Sequence, residues 1–365
     1  MTISILEDYM QKINVQFLKP GMILAKTIYG NDGQILLNHG IELKESYIRK
    51  LISLGISGVY IDTKDTEDIV IEDVICEQNR LQAKNIIRQT MKNIHMGKAV
   101  YTKDLFRAVS NILDDLLGNK DIMLNLSDIK AVDDYTFAHS VNVCVLSLIT
   151  GISMGYNREK LEKLGIGAIL HDIGKVAIPK EILNKPGALT DDEYKIIKNH
   201  PRLGYDILKK YTNISSLSAM IVLTHHERYD GGGYPLGKKE KEIHEFSRIV
   251  AVADVYDALT SDRVYKKKIL PHEAVEYLIS MGNHQFDYEI VKSFVMHVAS
   301  YPLGTMVRLS TGEKGIVAEV DKNYPNRPKI RCLWDKDGKR YDKAVEIELI
   351  NHPNITIIDV LENIE

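Results

Sequence analysis

The stretch HHERYDGGGYP, His225 to Pro235, sets two adjacent histidines and a carboxylate against three glycines and an aromatic–proline corner. Imidazole and carboxylate are metal-binding groups, and glycine lets a backbone approach a ligand without interference from a Cβ. A plainer reading exists, because glycine-rich turns are common and a histidine pair can lie on a wet surface. The surrounding sequence decides. His139 lies in FAHSVNV, His171 and Asp172 in HDIGK, His200 in KNHPRLG and Asp254 in VADVYDALT. With His225 and His226 these are seven nitrogen and oxygen donors and no thiolate. A single tetrahedral zinc uses fewer, and a structural zinc site usually includes cysteine. The set fits two or more ions that share a carboxylate and keep open positions for water.

Taken singly, most of these residues have an ordinary reading. His139 would be a satisfied core histidine, and His200 before Pro201 a helix-end residue. Asp254 stands apart, because a carboxylate among Val252, Ala253 and Val255 needs a cation or donors. Adjacent residues on a helix project about 100° apart. The pairs His171–Asp172 and His225–His226 therefore point in different directions, and a neighbouring pair of this kind can feed two ions.

The chain has 365 residues, enough for two or three domains at roughly 150 residues each. With 44% hydrophobic and 27% charged residues it has the makings of ordinary globular domains. A formal charge of −3 argues against binding a nucleic acid polymer by bulk electrostatics, so an anionic ligand must be held by local charges. Cys76, Cys144 and Cys332 show no paired spacing and are expected to be buried fillers in a reducing compartment. MTISILEDYMQK is acidic where a signal peptide would be apolar, and no membrane span is expected; the nearest candidate, 137–156, contains His139, Ser140 and Asn142. A cytoplasmic location is the expectation.

Along the chain, ILAKTIYG and QILLNHG flank the hairpin signal Asn31-Asp32-Gly33, IELKESYIRKLISLG has helical spacing, and GVYID reads as a strand. Residues 77–117 read as long polar helices, a candidate dimer interface. Helical periodicity continues through REKLEKLGIGAILHDIGK, and Thr190 to Glu193 form a capping-box start. After Tyr301, MVRLSTGEKGIVAEV and KIRCLWDKDGKRYD read as strand pairs around glycine-containing turns.

In the order and spacing of these motifs the central region resembles the HD-GYP family, a branch of the HD-domain metal-dependent phosphohydrolases. HDIGK matches its His-Asp element and HHERYDGGGYP its extended signature; LNKPGALTDDE, NHPRLGYDIL and VADVYDALTSDRVYKK match supporting segments. The resemblance implies a mainly α fold. A small α+β N-terminal module (1–65) and a helical connector (66–118) would precede the helical HD-GYP domain (119–300), and a small β module (301–365) would follow it. It implies hydrolysis of cyclic di-GMP to 5′-pGpG, or on to GMP, through attack on phosphorus by a hydroxide bridging two metals. The alternatives are 3′,3′-cyclic GMP-AMP as substrate, or a receptor or scaffold role without catalysis.

The ligands implied are His139, His171, Asp172, His200, His225, His226 and Asp254, with Asp172 bridging two of two or three transition-metal ions. Iron is the metal implied, with manganese as the alternative. Asp133 and Asp134 are candidates for a third ion or for a helix cap. Lys175, one turn from His171, is expected to donate to the phosphate or the leaving oxygen, rather than lie solvated at a helix end. Asp257, one turn from Asp254, is expected to orient Lys175 or a ligand, with capping as the alternative. Gly232, Gly233 and Tyr234 are expected to meet the cyclic dinucleotide, Asp230 to brace their loop, and Arg263 and Lys266 to supply charge to the second phosphate or a guanine. Signalling proteins are candidate partners.

Overall fold

The computed structural model of the chain describes residues 11–30, 34–56, 58–62, 73–98, 100, 102–119, 135–261 and 268–361. They fall into two compact units, one of the described residues up to Val74 and from Val298 onward, the other of those between.

The first unit opens with β1 (Gln11–Asn14), β2 (Ile23–Leu24), β3 (Ile28–Tyr29), β4 (Ile35–Leu37), α1 (Glu45–Ser53) and β5 (Gly58–Asp62). β3 and β4 pair antiparallel across the expected hairpin, whose turn residues 31–33 lie outside the described set. β5 is the middle strand between β1 and β2. Its side chains alternate faces with period two. Val59 and Ile61 pack with Leu24, Leu43, Ile48 and Leu51, while Tyr60 on the other face packs with Ala25 and with Met306, Ile316 and Leu333. The two ends of the chain thus share a core, which neither segment reveals when read alone.

The C-terminal partner is an antiparallel sheet of β6 (Met306–Leu309), β7 (Lys314–Glu319), β8 (Lys329–Trp334), β9 (Arg340–Glu348) and β10 (Ile357–Val360), in the order β10-β6-β7-β8-β9. It is buried on two faces: Met306, Ile316 and Leu333 face one cluster, and Val307, Val317, Ile330 and Cys332 the other.

The second unit is helical: α2 (Glu77–His95), α3 (Thr102–Gly118), α4 (Tyr135–Ser153), α5 (Arg158–Ile169), α6 (Lys180–Leu183), α7 (Asp191–Ile197), α8 (His200–Tyr211), α9 (Ser216–Thr224), α10 (Glu245–Thr260), α11 (Pro271–Ser280) and α12 (Tyr288–Val295). α4 is its axis, packed against α2, α3, α5, α10 and α12. By length and composition Thr136–Ser153 could cross a membrane, but 78% of it is buried inside the protein and it carries His139 and Asn142, so it is a core helix. α3 turns Leu105, Val109, Ile112 and Leu116 inward, so the helices read from sequence as a polar connector are integral to this unit.

Local signals explain the helix starts. Asn157 accepts from the Lys160 amide at 3.0 Å. Thr190 and Glu193 complete the expected capping box, each side chain accepting the other's backbone N–H, at 3.3 and 2.7 Å. Cys144 and Cys332 are buried as expected; Cys76 is exposed, because it sits at the N-cap of α2, where the chain enters the helix.

Candidate metal centre

The seven expected donors meet inside the helical unit. His139 lies on α4 and Asp254 on α10, two helices that pack together. The other five lie at helix ends, and here the helical expectation is corrected. α5 ends at Ile169, so His171 and Asp172 follow it in a turn; α9 ends at Thr224, so His225 and His226 do the same. His200 opens α8, just beyond the end of α7.

A helix end leaves carbonyls without intrahelical partners. Three of them are taken by these histidines: Nδ1 of His171, His200 and His225 donates to Ala168 O (2.8 Å), Ile197 O (2.8 Å) and Val222 O (2.9 Å). A carbonyl can only accept, so each Nδ1 carries the proton and each Nε2 is left to bind a cation. The negative dipole ends of α5, α7 and α9 meet here, set against the positive end of α8, which His200 opens. Gly174 allows the approach: a Cβ there would stand 1.9 Å from the His200 carbonyl oxygen.

Ligand atoms gather in two groups, one of Asp172, His200, His225 and His226, the other of His139, His171 and Asp254, the atoms of each lying within 4.8 Å of one another. Asp172 faces both. Its Oδ1 is 3.3 Å from His200 Nε2, and its Oδ2 is 3.3 Å from His171 Nε2 and 3.8 Å from His139 Nε2. The neighbours His171 and Asp172 therefore do serve different groups. His225 and His226 do not: their rings lie 4.2 Å apart and belong to one group, because the turn after α9 keeps both on the same side.

The electrostatics suit a cation. Burial works against an ionised Asp172, but Lys175 and His171 outweigh it and hold its carboxyl well below the usual range. Asp254 is likewise held low against burial, chiefly by His139. Burial, reinforced by the neighbouring imidazoles, drives His225 well down, and burial takes His226 to about 3 despite Asp254. Neutral imidazole and ionised carboxylate are the metal-binding forms. Burial alone would lower His139, but Asp254 and Asp257 raise it to about 9; the field that holds this proton also attracts a metal ion. His171 Nε2 and Asp172 Oδ1 are buried and make no hydrogen bond. Lone pairs aimed at lone pairs in a buried site repel unless a cation lies between them, so the donor set fits a metal centre.

Of the two expected partners, Asp257 meets a candidate ligand: its Oδ2 accepts from His139 Nδ1 at 2.7 Å. Its Oδ1 accepts from Asn142 at 2.7 Å, and Asn142 accepts in turn from Arg80 at 3.3 Å. Neither Asn142 nor Arg80 was singled out in the sequence. The available signal was a polar residue inside each helix's buried stripe, Arg80 with Ala83, Ile87 and Ile94 on α2. Lys175 Nζ sits 2.6 Å from Asp172 Oδ2, at the edge of both groups and partly exposed.

The glycine loop borders the centre. The Tyr234 ring stacks on His226, with centroids 4.8 Å apart, and its amide donates to His226 O. Lys198 Nζ lies 5.3 Å from the Tyr234 ring centre and 4.5 Å from that of Tyr194, two residues the sequence reading passed over. Asp230 braces the loop as expected, accepting from Arg228 and from the Gly232 amide at 2.9 Å, so that amide donates into the loop rather than outward. Gly233 packs tightly, since a Cβ would stand 2.3 Å from Arg228 N. Glu227 has a role that was missed. It is buried, and its two oxygens accept from the amides of Leu236 (2.7 Å) and Lys238 (3.0 Å). Asp133, Asp134, Arg263 and Lys266 lie outside the described residues.

Residues 131–290 match the family model of the HD domain, and residues 306–365 that of the KOW domain associated with the HD domain. The chain is 36% identical over 258 residues to the cyclic di-GMP phosphodiesterase PA4108 of Pseudomonas aeruginosa, covering 71% of this chain and 62% of that protein. It is 34% identical over 221 residues to the cyclic di-GMP phosphodiesterase PdeB of Borreliella burgdorferi, covering 60% and 58%. It is 32% identical over 213 residues to the 3′3′-cGAMP-specific phosphodiesterase 1 of Vibrio cholerae, covering 56% and 48%. The matches thus span between 48% and 62% of these relatives' lengths. With the HD domain matched over 131–290, these relatives, and the paired histidines running into the Gly-Tyr-Pro loop, the chain belongs to the HD-GYP family.

Proposed function

We propose that this chain is a metal-dependent phosphodiesterase that opens cyclic di-GMP to 5′-pGpG, or to GMP after a second cut. The observation that carries the reading is Asp172, whose two oxygens face two donor groups and leave buried lone pairs that a cation would satisfy. His139, His171, Asp172 and Asp254 would hold one ion, and Asp172, His200, His225 and His226 a second. On the family resemblance the metal is iron, with manganese the alternative; the donor set itself calls for a transition metal that binds imidazole and carboxylate. Such ions lower the pKa of bound water to about 7 and neutralise phosphate charge.

The remaining roles fall to the chain's own groups. Lys175, beside Asp172 and partly exposed, donates to a phosphate oxygen or to the departing 3′ oxygen. Tyr234, backed by His226 and with Lys198 over its ring, offers an aromatic face and a cation to a nucleotide. Gly232 and Gly233 shape the same loop. Arg263 and Lys266 are assigned to the second phosphate or a guanine on the family resemblance. Asp133 or Asp134 would hold any third ion. The reaction is assigned to the cytoplasm, with a homodimer and signalling proteins as further proposals.

The relative acting on 3′3′-cGAMP supports that substrate as the second reading. The test is elemental analysis of anaerobically purified protein, followed by product identification from each cyclic dinucleotide under iron-replete conditions. Turnover of cyclic di-GMP faster than of 3′3′-cGAMP bears the reading out; the reverse order supports the second. Tight binding without product would leave a receptor.

A further inference from the structure

Helix α2 precedes the matched HD domain segment, yet it sends a charged side chain into the interior of the helical unit. Arg80 is only 7% exposed and lies in the stripe of α2 that packs on α4. A buried guanidinium is costly unless its donors are used. Arg80 Nε lies within ion-pair distance of Glu77, at 3.3 Å, without a hydrogen bond of its own, and Nη1 donates to Asn142 Oδ1.

The partners of Asn142 leave it one orientation. A guanidinium has no acceptor, and an ionised Asp257 has no donor. Between them, only the amide flip with Oδ1 toward Arg80 and Nδ2 toward Asp257 satisfies both ends. Asp257 is then held through Oδ1 and accepts a hydrogen bond from His139 Nδ1–H on Oδ2, so His139 presents Nε2 toward Asp254, 3.1 Å away. Without the Arg80 donors, Asn142 is free to turn its carbonyl toward Asp257, where acceptor would meet acceptor and loosen the carboxylate that orients His139.

We propose that Arg80 is a positioning residue for the metal centre, acting from outside the HD domain. Through Asn142 and Asp257 it sets the tautomer and ring angle of His139, and so the affinity of the His139–His171–Asp254 group for its ion. The inference rests on the metal-centre reading above. It makes the first turn of α2, the first helix of this unit, a point from which metal occupancy is adjusted.

The test is a Mn(II) titration of the metal-free full-length chain, with free Mn(II) followed by electron paramagnetic resonance. The unaltered chain should bind at least two ions. Arg80→Met should weaken one of them about tenfold and leave the other unchanged, Arg80→Lys should fall between, and Asn142→Leu should match Arg80→Met. Because the links act in series, the double variant should lose no more than either single. Ile87→Ala, on the same buried stripe but outside the relay, should leave both affinities unchanged. Unaltered affinities in Arg80→Met, an equal loss in Ile87→Ala, or additive losses in the double variant would each overturn the proposal. If Arg80→Met does not fold, Arg80→Lys decides: an intermediate loss supports the relay, and unaltered affinity overturns it. No Mn(II) binding by the unaltered chain would overturn the metal-centre reading itself, and this inference with it.

Discussion

The two donor groups are built from similar side chains, but one of them contains a histidine, His139, that is held by different means from His171, His200 and His225. His200 and His225 are fixed through Nδ1 by backbone carbonyls at the ends of α7 and α9, bonds that no side-chain substitution removes directly. His139 is fixed by a side chain, Asp257, which depends on Asn142 and then Arg80, residues drawn from three helices. In one group His200 and His225 are as rigid as the helix ends that hold them. In the other, His171 is held the same way by the Ala168 carbonyl, but His139 is only as rigid as a relay of polar side chains, and that makes it the adjustable member of the centre.

Substitutions test this contrast. Asp172→Ala removes the carboxylate common to both halves, so both ions should be lost and kcat/KM should fall by at least about a thousandfold, several kcal/mol of transition-state stabilisation. Metal analysis and turnover of one preparation measure both. Asp257→Asn strikes only the relay, since the amide cannot accept from both His139 and Asn142. It should weaken metal binding about 10- to 100-fold at one position and spare the other; equal weakening of both would erase the distinction between the halves. Glu227→Gln touches neither half but gives one of two loop amides a donor where it had an acceptor. An unsatisfied buried group costs about 1–3 kcal/mol, so KM should rise about tenfold at unchanged metal content. Thr190→Ala removes a cap on α7, whose far end holds His200. It should cost about 1 kcal/mol in thermal unfolding and leave metal content and kcat unaltered.

The same contrast explains what the sequence disclosed. The backbone-held donors sit in compact, punctuated motifs, HDIGK, NHPRLG and HHERYDGGGYP, where histidines beside glycine or proline mark helix ends and stand out. The capping box at Thr190 and the strands around the hairpins are local signals of the same kind. The relay is not local: Arg80 and Asn142 are 62 positions apart, and His139 and Asp257 are 118 apart, joined only when α2, α4 and α10 pack. Glu227, beside two histidines, has the signature of one more metal-liking group, because no local pattern shows that its oxygens meet the amides of Leu236 and Lys238. The apolar periodicity of α5 runs past its end and so predicts a helix through His171 and Asp172, while the true stop at Ile169 carries no glycine or proline. The core shared by the two ends of the chain depends on which face of β5 Tyr60 occupies, a register set by pairing rather than by composition.

The central claim is that Asp172 joins two metal positions. It is tested most directly by the metal-to-protein ratio of anaerobically prepared, metal-saturated protein, measured side by side for the unaltered chain and Asp172→Ala. The account predicts at least two ions per chain in the first and essentially none retained in the second. A single ion in the unaltered chain, or an undiminished ratio in Asp172→Ala, would contradict it.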